Sequence, residues 1–284
     1  MQETIGFSGT LSNLDATWLC NKRRALSPIY AAAEFFWYMS RERSINMLLP
    51  YAPQYYKFAE NDIAHGAYGD RLVRNTGGKQ DQLTTIAAML RSKPNTRQAV
   101  VTLWDCREDL LTAVNGLAKD IPCTLSWQFL LRDSYLHMVC TMRSEDVWLG
   151  MPYDVFINTA IQRLLADELN VRAGSYTHNV GSLHLYARNQ TAAQEAMQET
   201  GDSHFTVWDQ PTTFDDANKA LLLVRQFHAC SPPVEELPNR SKMSDDFLWC
   251  IAQHWNPGAF TYERISTSSL YRGMEVYLAH RGRK

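Results

Sequence analysis

The sequence predicts an α/β fold, of the α+β kind, with a central sheet that is mixed or largely antiparallel and flanked by helices. Two observations carry this expectation. Residues 124–146 alternate apolar and polar side chains on both sides of Asp133-Ser134, which is the period of two paired strands. Helix-length apolar stretches lie before and after it, at 28–39 and 155–169. The chain has 284 residues and 45% hydrophobic content, enough for a substantial core, and a single domain over 1–284 is expected.

In chain order, residues 1–18 read as a strand or irregular entry. Ser27 can cap, and Pro28 can open, a helix over 28–39. An aromatic stretch from Tyr51 to Tyr68 has the look of core. A helix over 81–90 and a strand over 99–104 come next. The hairpin is followed by the helix at 155–169 and a strand over 174–185. Helices are expected near 190–199, 216–229 and 244–254, with a proline-rich link at Ser231-Pro232-Pro233. Arg71 and Arg74 read as surface charges.

Composition excludes several classes. A net charge of −2 argues against a general nucleic-acid-binding protein. No apolar run approaches the roughly 20 residues that span a bilayer. Met1-Gln2-Glu3-Thr4 lacks the basic and apolar regions of a secretory signal. The six cysteines form no CxxC pair, so they read as reduced thiols of a cytoplasmic protein, with no metal site.

The hairpin region also carries chemistry. With Asp133 and Ser134 as loop residues, Arg132 pairs with Tyr135, Thr124 falls opposite Arg143, and Cys123 opposite Ser144. A thiol and a guanidinium then converge at one sheet end, since paired strands lie roughly 4.8 Å apart. A guanidinium grips phosphate bidentately. A cysteine beside positive charge has a lowered pKa and becomes a nucleophile. Spacing alone leaves the plainer reading open, a cysteine that is a small buried hydrophobe. Glu34 lies in a thoroughly apolar helix, where burial would raise its pKa toward neutrality and suit it to proton transfer. An exposed glutamate on a half-buried helix is the alternative.

The run Met142-Arg143-Ser144-Glu145-Asp146-Val147-Trp148-Leu149-Gly150-Met151-Pro152-Tyr153-Asp154 resembles the thymidylate synthase motif RSxDvfLGxPFN. Pro122-Cys123 resembles that family's nucleophile. Gly181-Ser182-Leu183-His184-Leu185-Tyr186 resembles its GDxHxY segment, Glu34-Phe35-Phe36-Trp37-Tyr38-Met39 its ELLWFL, and Gly66-Ala67-Tyr68-Gly69 its GPVYG. The likeness runs from about Leu19 to Asn189 in the family's order. The departures are Thr124 for a histidine, Met142 for a glutamine and Asp154 for an asparagine. All three, with Asn179 to His184, resemble the deoxycytidylate (dCMP) hydroxymethylase branch found in phages.

The resemblance implies a thymidylate synthase-like fold and a set of roles. Cys123 is the nucleophile, and Glu34 with Tyr68 handles protons and water. Arg143, Ser144, His184 and Tyr186 hold phosphate and sugar, with Thr124 and Asn179 nearby. Asp146, Gly150 and, more loosely, Tyr55 lie on the folate side. Arg24, just before the helix start, matches a phosphate-binding position, although a solvated surface charge is the bland alternative. Arg97 matches an arginine that crosses a dimer interface to the partner's phosphate site, which implies a homodimer; Gln98 stands where the family has a second one. The co-substrate implied is 5,10-methylenetetrahydrofolate. The basic end, Arg281-Gly282-Arg283-Lys284, differs from the apolar tail that closes thymidylate synthase sites.

Asp154 decides the expected substrate. Uracil presents a donor at N3 and an acceptor at O4, which an amide satisfies. Cytosine presents a bare N3 and an N4 amino donor. A carboxylate accepts from N4 and from N3 once protonated, but would face O4 acceptor to acceptor. A mispaired buried polar group costs about 1–3 kcal/mol. Without the motif, Asp154 reads first as the N-cap of the helix that follows. The expected activity is conversion of dCMP to 5-hydroxymethyl-dCMP. Hydroxymethylation of CMP, and methylation or hydroxymethylation of dUMP, are the alternatives. A catalytically silent relative that binds nucleotide or RNA is the reading from another class.

Overall fold

The structure, a computed structural model, describes residues 1–199, 208–230, 234, 237–238, 242–259, 261 and 268–282. The expected link at Ser231-Pro232-Pro233 and the terminal Arg283-Lys284 lie outside the described residues. A five-stranded sheet runs in the order β1-β5-β4-β3-β2. Its strands are β1 (Gln2–Leu11), β2 (Val100–Thr102), β3 (Thr124–Arg132), β4 (Tyr135–Asp146) and β5 (Arg172–Leu185). All neighbours are antiparallel except β4 and β5, which are parallel, so the sheet is mixed.

The hairpin forms where the alternation predicts it. Asp133 and Ser134 both adopt left-handed φ, 49° and 64°, which is a type I′ turn matched to strand twist. Arg132 pairs with Tyr135, and the register holds as far as Ser126 opposite Thr141. It then slips, because Leu125 is an extra residue and Thr124 pairs with Met142. The Leu125 carbonyl accepts from Leu103 N at 2.9 Å and Trp104 N at 3.1 Å, so the bulge is stitched to the chain beyond β2. The expected pairing of Thr124 with Arg143 and Cys123 with Ser144 is therefore wrong by one residue. Arg143 N donates to Cys123 O at 2.8 Å instead.

The parallel pair is joined by α5 (Met151–Glu168). Its buried Phe156, Ile157, Ala160, Ile161, Leu164 and Leu165 recur at helical spacing and cover β4 and β5. Helix α1 (Pro28–Ser40) starts as predicted, with the Ser27 hydroxyl accepting from Tyr30 N at 3.1 Å and Pro28 in the first turn. It is the hub of the helical layer, packed on α5, α2 (Tyr68–Arg74), α7 (Phe214–Cys230), α8 (Met243–Trp255) and α9 (Ser268–Arg281). Helices α3 (Gln82–Ser92), α4 (Asp109–Asn115) and α6 (Gln190–Met197) complete the described elements. In β4, Leu136, Met138, Cys140 and Met142 are buried while His137, Val139 and Thr141 between them are partly exposed, so one sheet face is covered and the other is open. Among the described residues no helix is long and apolar enough to cross a membrane.

Arg71 is not a surface charge. It is fully buried on α2 and forms two 2.7 Å hydrogen bonds to the Asp109 carboxylate, which His65 Nε2 also meets at 2.7 Å. Arg74 pairs with Asp70 at 2.6 Å and with Glu108.

Candidate active site

Five elements and the segment before β3 deliver side chains to one cavity of roughly 430 Å³. Helix α1 contributes Tyr30, Glu34, Trp37 and Tyr38 from one face, as the three- and four-residue spacing requires. Helix α2 opens with Tyr68, and the segment before β3 brings Asp120 and Cys123. The end of β4 brings Arg143, Ser144, Glu145 and Asp146, the first turn of α5 adds Asp154, the end of β5 brings His184, and Tyr186 follows just beyond it. Gly150 and Tyr55 close the lining. Among the described residues no cluster of histidine, cysteine and carboxylate side chains is arranged to hold a metal ion.

Of the residues the sequence singles out, Cys123, Glu34, Tyr68, Asp154, Arg143, Ser144, His184, Tyr186, Asp146, Gly150 and Tyr55 line this cavity. Four do not. The Arg24 guanidinium donates to the Trp148 carbonyl at 2.7 Å and the Leu149 carbonyl at 3.3 Å and stacks on Trp148 and Tyr153, so it braces the turn ahead of α5. Thr124 is buried, its N–H donating to the Tyr68 hydroxyl at 3.0 Å. Asn179 accepts from the Ser8 hydroxyl at 2.7 Å across the β1–β5 pair. Arg97 is exposed and outside the cavity of its own chain.

The electrostatics differ from expectation in one respect. Arg143 was expected to lower the Cys123 pKa. Burial instead pushes the thiol up to about 11; Arg143 pulls down, but Asp154, Glu145 and Asp120 push further up. The guanidinium is also occupied elsewhere: Nε donates to the Pro122 carbonyl and Nη2 to the Ile121 carbonyl, both at 2.8 Å, holding the segment that carries Cys123. The Tyr68 hydroxyl accepts from Cys123 N and Thr124 N, both at 3.0 Å, and anchors that segment from the other side.

Glu34 behaves as its apolar setting predicts. Burial, with the nearby Asp154 carboxyl, raises it to about 8, although the Tyr30 hydroxyl donates to its Oε1 at 3.0 Å. It is protonated at neutral pH. Asp154 does not cap α5, because the helix begins at Met151 and Gly150 is the N-cap residue. Its side chain is free to turn into the cavity, where burial and then Glu145 push its pKa well above the carboxylate range. Asp146 Oδ1 accepts from Trp148 N at 2.8 Å and Leu149 N at 3.2 Å, while its Oδ2 is buried without a partner.

A thymidylate synthase family model matches residues 12–228. The chain belongs to the thymidylate synthase family. Among relatives, thymidylate synthase 1 of Bacillus subtilis strain 168 is 27% identical over 175 residues, covering 60% of this chain and 60% of that protein. The thymidylate synthase of Staphylococcus haemolyticus is 25% identical over 165 residues, 58% of this chain and 48% of that protein. The chain thus matches between 48% and 60% of the length of these curated relatives. In fold it is similar to thermostable thymidylate synthase A from Bacillus subtilis, with a TM-score of 0.60 and 22% identity over 71% of this chain and 73% of that one.

Against the thymidylate synthase motif, sequence reasoning overlooked Asp120 and Glu145. Burial raises Asp120 to about 6, although Gly66 N–H donates to it. Glu145 is buried and raised to about 8. Both had a signal: each is an acidic residue beside a motif residue, Asp120 shortly before Pro122-Cys123 and Glu145 between Ser144 and Asp146.

Proposed function

We propose that the protein is a folate-dependent pyrimidine nucleotide hydroxymethyltransferase that converts dCMP to 5-hydroxymethyl-dCMP. The observation that carries the reading is Asp154, which lines the same cavity as Cys123 and Glu34 and whose pKa burial, and then Glu145, raise well above the ordinary carboxylate value. A carboxylic acid offers cytosine an O–H for N3 and an oxygen for the N4 amino group. Uracil already carries hydrogen on N3 and needs no such proton, and the carboxylate that forms with cytosine would meet O4 of uracil acceptor to acceptor. Polar mismatch of this kind discriminates by up to roughly 10⁴-fold.

Cys123 adds to C6, and the ring's electrons move toward C5 and N3. The Asp154 proton passes to N3, and the carboxylate so formed accepts from both N3–H and N4–H. C5 then takes up the one-carbon unit, which bound 5,10-methylenetetrahydrofolate supplies at the oxidation level of formaldehyde. C5 loses its proton and tetrahydrofolate leaves as its bond to the transferred carbon breaks; water then adds to the exocyclic methylene, and the Cys123–C6 bond breaks as N3 returns its proton to Asp154, freeing the product. No hydride moves. Glu34, protonated and next to Tyr30, is the group that exchanges protons with the base and the water. The thiol at about 11 needs its proton removed as it adds. The folate side fits the group chemically: Asp146 Oδ2 is an unpartnered buried acceptor for ring N–H, and Trp37 and Tyr55 supply an aromatic wall.

For the nucleotide, Ser144, His184, Tyr186 and Arg143 are the binding groups, and Ser144 favours deoxyribose over ribose. Arg97, exposed and outside its own cavity, is carried as the cation that reaches the phosphate of a partner subunit in a homodimer formed through the open sheet face. The names of the matched relatives favour dUMP methylation as the second reading. Incubation with methylenetetrahydrofolate and dCMP, CMP or dUMP separates these. Tritium release from [5-³H]dCMP with a hydroxymethylated product is expected. Preference for dUMP with dihydrofolate as co-product would overturn the reading, and no tritium release would make the chain a silent binder.

A further inference from the structure

Glu145 belongs to none of the roles above, yet it is 4% exposed and lines the cavity. Its carboxyl is hydrogen-bonded to that of Asp154. The two meet over Gly150, where a Cβ would lie 2.4 Å from Glu145 Oε1 and 3.2 Å from Asp154 Oδ2; only glycine leaves room for the pair. Glu145 Oε2 has no hydrogen-bond partner, and neither does His178 Nε2, which faces it at 3.7 Å. The other His178 nitrogen shares a 2.6 Å hydrogen bond with the Tyr176 hydroxyl.

Among the described residues no Lys or Arg forms an ion pair with these carboxyls. Glu34 faces them from α1, Asp146 from β4 and His178 from β5, with the Cys123 thiol alongside. Burial holds His178 below its ordinary value, so it is neutral. Among the described residues Arg143 is the one cation lining the cavity, and it donates to two carbonyls. Two carboxyls in contact cannot both ionise cheaply, so the pair retains protons that an isolated carboxylate would release.

We infer that Glu145 is a positioning residue for cytosine selection: it forms a proton-holding pair with Asp154, so that Asp154 gives one proton to the ring while a second stays between the two carboxyls. This rests on the proposed dCMP reading. When Cys123 adds to C6, N3 of cytosine needs a proton. Asp154 supplies it, and the Glu145 O–H then donates to the new carboxylate, so two adjacent negative charges never form. Uracil has its N3 hydrogen already and draws less on the pair. Once Glu145 ionises, near 8, its carboxylate competes for the Asp154 proton, and dCMP suffers more than dUMP.

The test is the ratio of kcat/KM for dCMP to that for dUMP across pH 7 to 10. Titrations of Glu34 and Cys123 affect both substrates and cancel in the ratio. In the wild type the ratio is expected to fall by about tenfold per pH unit above about 8, the slope of one required proton. In Glu145→Gln, which keeps the shape and a donor but cannot ionise, the ratio should stay flat through that range. Should that variant fail to fold, Glu145→Asp, which withdraws the carboxyl by one methylene, is expected to lower the neutral-pH ratio about tenfold. A wild-type ratio without a pH step, or one that persists in Glu145→Gln, overturns the inference while leaving dCMP turnover intact. Wild-type preference for dUMP overturns the parent reading and this inference with it.

Discussion

The buried Asp109 carboxylate and the acids that line or neighbour Cys123 in the cavity are built in opposite ways. Behind α2, Asp109 is raised by burial but lowered more by Arg71, the Asp105 N–H and His65, and it ends below its ordinary value. Its charge is neutralised where it lies, and nothing remains to offer a ligand. In the cavity, Glu34, Asp120, Glu145 and Asp154 are all raised, chiefly by burial; Arg71 and His65 pull Asp120 down only in part, and among the described residues no Lys or Arg forms an ion pair with any of the four. A fully partnered carboxylate supports the fold, whereas unpartnered ones store protons and await a partner from outside.

The contrast can be broken most severely on the structural side. Asp109→Asn strands the buried Arg71 charge, and thermal or urea unfolding should show a loss of about 3–5 kcal/mol. Asp120→Asn keeps an acceptor for the Gly66 N–H and removes a charge that burial disfavours, so a loss of no more than about 1 kcal/mol is expected at pH 8. Equal losses in the two variants would erase the distinction.

A smaller effect sharpens it. The Glu34 carboxyl is raised from 4.5 to about 8, so the folded protein binds a proton there that the unfolded chain releases. Its contribution to stability is complete below about 4.5 and is lost as pH rises through about 8. Glu34→Gln should therefore flatten the fall in stability between these values, measured as urea midpoint against pH. An unchanged slope would mean that Glu34 is ionised in the folded protein.

Much of this was readable from the residues. Alternation placed the hairpin and its turn, Ser27-Pro28 placed the start of α1, and the isolation of Glu34 among aromatics gave its raised pKa. What escaped depended on three-dimensional pairing. The Leu125 bulge is invisible because its carbonyl is satisfied by Leu103 and Trp104, which no local pattern announces. Arg71 read as exposed because its partner lies 38 residues away. The Cys123 shift runs opposite to the expectation because burial outweighs the downward pull of Arg143, whose donors go to carbonyls, and that burial depends on the assembled cavity. Glu145 carries no local signal of its partner inside the motif, and its approach to Asp154 over Gly150 exists only in three dimensions.

Whether the Asp154 carboxyl chooses the base is tested most directly by Asp154→Asn, through the ratio of kcat/KM for dCMP to that for dUMP. The amide restores a donor for O4 and an acceptor for N3–H, so the ratio should fall by about 10²-fold or more in favour of dUMP. A ratio that the substitution leaves unchanged would contradict the account.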